Sequence, residues 1–554
     1  MTITTPAKPL ESKPVRERAE TQTVPRRRFI RYRLLIPSAG SVGIVLAMIP
    51  AAHGLGCFSF STIVRQARTL AARPYKVPGS IPGFLKHLTY SEYQAIRFNP
   101  ARSLWRRSGS KFEVQLVPPG LYYTTPVALF VVSHCASHPL RFQRSDFTYP
   151  SAALQKRIPQ GLGYAGFKLT YPLVGRDLHN QFLVFAGASY FRAVGRPNNF
   201  GLSARGIAVN TAFPPHEIFP VFQKFWLVRP NRDARQMVVY ALLNGSSLTG
   251  AYRFIIRPGQ VTRIKMQVRL FFRDTPRVLG IAPLTSMFFY GAGTPRPMGE
   301  WRPAVHDSDG LQIVNGDGEW LWRPLIDPPR FQVTSFALDN PRGFGLVQRN
   351  QRFSNYEDLG ARYDTRPSAW VVPRGHWGRG HVELVEIPTD SETVDNIVAY
   401  WVPGQRIQPG REYRYAYTLL FGRANVARPP GGRVIHTFVG AGRNPGMPCS
   451  AGRHRLRFVV DFTVPKAFWN APVRGIVSTQ APARVSNVTV IPARRIGQTH
   501  LSFDRLSFLV FAPARKALEL RAFLRDKGNA LTETWSDMLP ADEVSALTQS
   551  PGCP

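Results

Sequence analysis

Apolar and polar residues alternate along much of this chain with a period of two. Ile264, Met266, Val268, Leu270 and Phe272 alternate with Lys265, Gln267, Arg269 and Phe271, the pattern of a strand with one buried face and one mostly wet face. Leu456, Phe458, Val460, Phe462 and Val464 repeat it near the other end. Shorter runs, FEVQLV from 112, VALFVV from 127, MVVYALL from 237 and SFLVFAP from 507, are separated by turns, for which 45 Gly and 49 Pro supply the punctuation. Strands this short and this regularly interrupted predict an all-β chain built as sandwiches. Helical signals are few. Thr62 can cap a segment whose Ile63, Ala67, Leu70 and Ala71 share a face, and Ser536 to Leu547 fits a terminal turn or two. A Pro/Gly break, ARPPGG at 427–432, follows GREYRYAYTLLFG at 410–422. It divides the chain into a large β-sandwich over 57–425 and a smaller one over 430–540, the size of an immunoglobulin-like domain.

Charge changes the picture less than its size suggests. The 554 residues hold 71 Lys+Arg against 34 Asp+Glu, a formal net charge of +37, and 12 of the cations are Lys, leaving 71 − 12 = 59 Arg. The basic residues stand singly among apolar ones, without a basic helix or a helix-turn-helix, zinc-finger or RNP pattern, so a solvated basic surface is expected rather than a nucleic-acid stripe. At the N-terminus Arg26-Arg27-Arg28-Phe29-Ile30-Arg31 precedes an apolar, uncharged run from Leu34 to Gly56. Residues 1–56 therefore read as an export signal of twin-arginine type, with cleavage near Gly54 to Cys57, and a membrane anchor is the alternative. Four cysteines include no CxxC pair, and Cys449 could pair with Cys553 in an oxidising compartment.

Candidate chemistry concentrates in one window. Between Glu300 and Asp395 lie 15 of the 34 acidic residues, and six of the ten tryptophans fall between 301 and 401. WRPAVHDSDG, 301–310, sets Asp307 and Asp309 between a tryptophan and a glycine. Carboxylates do acid/base work at a glycosidic bond, indole faces stack on sugar rings and Arg forks bind hydroxyls. The competing reading makes the tryptophans core and the acids ion-pair partners of the abundant Arg. The DSDG stretch fails the calcium-loop spacing, because Gln312 and Gly318 stand where that loop has Gly and Glu, and Arg205 breaks a nucleophile elbow at 201–205. There is no P-loop, dinucleotide fingerprint or HExxH. Neither a metal nor a cofactor is expected.

Several long stretches resemble the periplasmic glucan biosynthesis proteins MdoG/MdoD, also called OpgG/OpgD. They are ASYFRAVGRPNNFGLSARGIAVNTA (188–212), FPVFQKFWLVRP (219–230), WRPAVHDSDGLQIVNGDGEWLWRPL (301–325), DNPRGFGLVQRN (339–350), FSNYEDLGARYDTRPSAWV (353–371) and GHVELVEIPTDSETVDNIVAYWVP (380–403). The similarity extends from about Phe58, through YSEYQAIRFNP (90–100), to ELRAFLRDKGNALTETW (519–535), and the paired arginines resemble the MdoD branch more. The resemblance implies a galactose-mutarotase-like sandwich joined to an immunoglobulin-like one, in a periplasmic protein of osmoregulated glucan synthesis. It implies an inverting β-1,2-glucan hydrolase, or else a non-catalytic glucan-binding scaffold. Carried over by motif, Asp395 of DNIVAYW is the general acid, Asp307 of HDSDG the general base and Tyr363 of ARYD stands beside the water path. Asp309, Asp358 and Asp364 are the next carboxylates to weigh. Trp301, Arg302, Trp320, Trp322, Arg323, Tyr190, Arg192, Arg205, Arg366 and Trp370 are the expected sugar contacts. The implied partner is β-1,2-linked glucan, with functional contact to the membrane glucan synthase, no nucleic acid and no stable membrane insertion once the signal is removed.

Overall fold

The alternating run at 262–272 forms the strand Thr262–Phe272 of a computed structural model. The model describes residues 57–548 apart from 176–177, 214–215, 443–454, 467–468, 470–471, 493–502 and 513–515. Ile264, Met266, Val268, Leu270 and Phe272 are buried in the main core, while Lys265 is exposed. Phe271, expected on the wet face, is buried too, because the helix Phe60–Ala71 lies on that face and covers it with Ile63 and Ala67. The cap of that helix is Ser59 rather than Thr62, which is its third residue and accepts the Ser59 N–H at 3.4 Å. Of the four residues expected on its apolar face, Leu70 and Ala71 are only half-buried. A Cys57–Cys135 disulfide ties the start of this helix to the hairpin of Ala128–Ser133 and Ala136–Pro139. The export-signal segment, Cys449 and Cys553 lie outside the described residues. Among the described residues no helix is long and apolar enough to cross a membrane.

The fold is all-β, and two large sheets dominate it. Among the described residues sheet A has ten strands, in the order 113–117, 166–171, 180–186, 190–193, 203–205, 279–286, 397–403, 379–386 and 332–339, with 208–209 beside 279–286. Sheet B has fifteen and includes 262–272, 412–422, 368–374, 343–347, 310–314 and 320–324 in adjoining positions. Inward residues of the two sheets share one core. Phe167 meets Phe225 and Phe185 meets Phe254 across it, each pair with ring centroids 5.1 Å apart, the interdigitation expected of a β-sandwich.

Sheet B does not end at residue 422. Its strand Trp320–Pro324 pairs in parallel with Thr534–Leu539, bringing Trp322 opposite Trp535, and Leu518–Asp526 and Arg474–Thr479 follow outward. A four-stranded sheet C, ordered 434–441, 455–463, 503–511 and 484–491, packs on this extension around Phe458, Phe508 and Trp535. Each fully buried side chain of this size contributes roughly 1.5–3 kcal/mol, more than a surface ion pair of about 0–1 kcal/mol. The final segment, expected as a turn or two of helix from Ser536, is first a strand to Leu539 and then the helix Ala541–Thr548.

The Pro/Gly stretch at 427–432 joins sheet B to sheet C, and its end is pinned. Gly432 donates to the Leu531 carbonyl at 2.8 Å and accepts the Glu533 N–H at 2.9 Å. The buried Glu533 carboxylate takes Arg349 Nη1 at 2.5 Å, Arg349 Nη2 at 2.8 Å, Gln312 Nε2 at 2.7 Å and the Val434 N–H at 2.8 Å. Removing one partner of a buried pair strands the other, at about 3–5 kcal/mol. Glu533→Ala is therefore expected to lower unfolding stability by that amount in urea titration. A loss below about 1 kcal/mol would show the pair to be dispensable.

Candidate functional site

The tetrad Asp307-Ser308-Asp309-Gly310 links the strand Val305–His306 to the strand Gly310–Val314, and its two aspartates have opposite surroundings. The Asp309 carboxylate accepts the Arg349 N–H at 3.0 and 3.1 Å and the Asn350 N–H at 3.0 Å. Its own backbone is bonded to Val347 and Leu325. Asp309, expected as an alternative catalytic carboxylate, is thus committed to holding backbone. Gly310 lies against the Trp322 indole so closely that a Cβ would collide with the ring. Asp307 keeps its carboxylate for other work. It is 8% exposed, and among the described residues its Oδ1 has no hydrogen-bond partner and its ion-pair contact is Arg366 Nε at 3.4 Å. Burial pushes its carboxyl up to about 6, Arg366 opposes that shift, and the Asp395 charge adds to it.

Asp395 reaches the same place from far along the chain. The next residue, Asn396, is fully buried, and its amide takes the Phe288 N–H and donates to the Phe288 carbonyl, both at 2.9 Å. Phe288 pairs with His306, directly before Asp307. This clamp, which carried no sequence signal, fixes the Asp395 loop beside the Asp307 turn. The Asp395 side chain is 34% exposed and lies 3.3 Å from Arg192 Nη2, whose Nε bonds Ser203 Oγ at 2.7 Å. Burial raises its carboxyl as well, and Arg192 and Arg366 pull it back. The two carboxylates face the same two guanidinium groups, and burial raises the proton affinity of both.

A third loop completes the cluster. Tyr363 begins the short 3-10 turn Tyr363–Thr365, and its hydroxyl donates to Glu392 at 3.2 Å. Arg366 lies over the Tyr363 ring at 5.3 Å and bonds the Phe200 and Ala361 carbonyls. Arg302, expected to bind sugar, is instead engaged by three carboxylates. It meets Glu300 at 2.9 and 2.7 Å, Asp358 at 3.0 Å and Glu392 at 2.5 Å, with its side chain 14% exposed. The fork holds Glu300 down to about 2. Three loops, carrying Trp301, Tyr363 and Asp395, are tied through this one guanidinium. Asp358 also receives the Gly360 and Ala361 N–H groups, and Asp364 is paired with Arg362, so both serve their own loops.

The remaining expected sugar contacts divide. Trp301 is 65% exposed at the rim. Tyr190 sits 4.9 Å from Arg205, which is buried and paired with Glu217 at 2.5 Å, so this arginine supports the wall and does not line it. Trp320, Trp322, Arg323 and Trp370 are not brought to the aspartates. Trp370 is buried in the core beneath sheet C and the half-buried Trp320 stacks on it at 5.9 Å, Trp322 carries Arg349 at 3.5 Å, and Arg323 is 1% exposed and faces Asp537 at 3.6 Å. The physical reason is position. These residues lie on strands of sheet B that the C-terminal sandwich must cover with apolar surface. Glu392, Glu300 and Asn396 are the functional-site members that sequence reasoning missed. Only the acidic density of the window hinted at the first two.

The family model described as "Periplasmic glucan biosynthesis protein, MdoG" matches residues 58–538. "Glucans biosynthesis protein G" of Ralstonia nicotianae is 40% identical over 504 residues, which is 90% of this chain and 99% of that protein. Both names are of the G kind rather than the D kind that the paired arginines suggested.

Because Arg302 joins three loops, Arg302→Met is expected to speed amide hydrogen exchange over 353–366 and 388–396 together, by tenfold or more (about 1.4 kcal/mol of local stability). Exchange faster in only one of these segments would show that the loops are held independently.

Proposed function

The chain belongs to the MdoG family of periplasmic glucan biosynthesis proteins, and from that premise we propose that it is an inverting hydrolase of β-1,2-linked glucan. The observation that carries this reading is the pair Asp307 and Asp395, both shifted upward by burial and both balanced by Arg192 and Arg366. Asp395 is the exposed member, so it can approach the leaving glycosidic oxygen and act as general acid. Asp307 is too deeply buried to attack the anomeric carbon itself. It acts as general base on a water beside Tyr363, and attack by water gives inversion. Trp301 offers an indole face to a sugar ring at the rim. The site would trim or size the glucan backbone in the periplasm, downstream of the membrane synthase, after export on the N-terminal signal.

Purified protein is expected to shorten linear β-1,2-glucan and to leave β-1,3- and β-1,6-glucans intact, with the α-anomer as first product by NMR. Asp395→Asn and Asp307→Asn should each lose on the order of 10² to 10⁴ in rate while keeping glucan affinity. Glucan that is bound but never cut would leave a scaffold in place of an enzyme.

The pH profile supplies a separate check. A base must be ionised, and the Asp307 carboxyl lies at about 6, so kcat/KM should fall tenfold per unit below that pH. Arg366 lowers this value, so Arg366→Met should move the acid limb to higher pH. A limb that stays in place or moves down would remove Asp307 from the role of base.

A further inference from the structure

At the outer edge of sheet A a groove of about 510 Å³ opens between the strand Gln332–Asp339 and the extension of sheet B. Its volume falls within the roughly 300–1,000 Å³ of small-molecule sites. None of Tyr190, Arg192, Asp307, Tyr363, Arg366 or Asp395 lines it. One wall carries Thr334, Phe336 and Leu338, and the facing wall carries Leu321, Arg323 and Ser536. Phe336 and Leu338 pack on the main core yet stay half-buried, so an apolar strip faces the groove between hydroxyls. Beneath the lining, two buried polar atoms, Arg323 Nε and Thr334 Oγ1, have no hydrogen-bond partner among the described residues.

The charge of the lining narrows the ligand. Arg323 and Arg521 stand against Glu319, Glu519 and Asp537, two cations to three carboxylates, in a chain whose formal net charge is +37. The charges are also spent on each other, with Arg521 on Glu319 at 2.5 Å and Arg323 facing Asp537 at 3.6 Å. Such a lining repels phosphate, sulfate and other anions. Mixed hydroxyl, amide and apolar surface with no net positive charge suits an uncharged polyol whose ring faces are apolar and whose rim is hydroxyl.

We infer that this groove is a second, non-catalytic glucan site, which takes a neutral oligosaccharide segment along the strand Gln332–Asp339. The inference deepens the glucan reading above and rests on it. A polymer held here and at the Asp307/Asp395 cluster pays the cost of association once, so its local concentration at the cluster rises and long chains are held better than short ones.

The test uses Asp395→Asn protein, so that linear β-1,2-gluco-oligosaccharides are not consumed, with hydrogen exchange and calorimetry as readouts. Protection over 332–339 is expected on binding. Thr334→Phe and, at an exposed position, Ser335→Trp should fill the groove and abolish that protection. They should weaken binding of long glucan by about tenfold or more and leave kcat on short oligosaccharides unchanged when placed in the wild-type background. Thermal melts at the wild-type temperature establish that both variants fold. The inference is overturned if 332–339 stays unprotected, if neither filling variant changes long-chain affinity, or if inorganic phosphate displaces the sugar. Protection at the groove of the Asp395→Asn protein together with no glucan cut by wild type would sink the hydrolase reading alone, and glucan cut by wild type with no protection at the groove would sink the groove alone.

Discussion

The parallel pairing of Trp322 with Trp535 is the joint on which the other parts of this protein depend. It makes sheet B common to both sandwiches, so the strand Trp320–Pro324 must serve two cores at once. Trp322 turns its indole into the second core, and that placement requires a residue without a side chain at Gly310 beneath it. Arg349 covers the same indole and reaches Glu533, while its backbone N–H bonds Asp309. The turn that carries Asp307 is thereby fixed from the far side of the molecule. Packing between sandwiches and placement of the candidate catalytic carboxylate are one structural event.

Arginine is the recurring means of holding carboxylates in position. Arg302 gathers three loops, Arg349 locks Glu533, Arg366 and Arg192 balance the aspartate pair, and Arg205 holds Glu217. A planar fork with five donors can engage several carboxylates in fixed geometry, which a lysine ammonium does not do. Part of the large arginine content therefore works inside the fold.

Within one tetrad, environment separates two identical side chains. Asp309 receives three backbone hydrogen-bond contacts and becomes a structural anchor. Asp307, two residues earlier, receives none on its Oδ1, and its carboxyl rises to about 6. Desolvation wins there because the one close guanidinium, Arg366, stands at 3.4 Å without a hydrogen bond to Asp307 Oδ1 and gives its two Nη groups to the Phe200 and Ala361 carbonyls. Partial compensation of this kind suits a group that must exchange a proton near neutral pH.

Period-two alternation was enough to assign the all-β class and most of the long strands, because a strand that buries one face writes that face into every second residue. The long matching motifs were enough for the family. Of the residues expected at the site, Asp307, Asp395, Tyr363 and Arg366 of the acidic window are brought together by the fold, and Arg192 joins them from outside it. Composition could not divide the tryptophans, since the same indole suits a sugar face and a sandwich core, and only the covering of sheet B by sheet C decided for core at Trp322 and Trp370, with Trp320 packed against it. Local pattern had no means of placing Phe271 under a distant helix, nor of telling Asp309 from Asp307, because those outcomes depend on which backbone groups arrive from elsewhere in the chain. Burial, hydrogen-bond partners and proton affinity are properties of the assembled neighbourhood, and they exist only once strands far apart in sequence lie side by side.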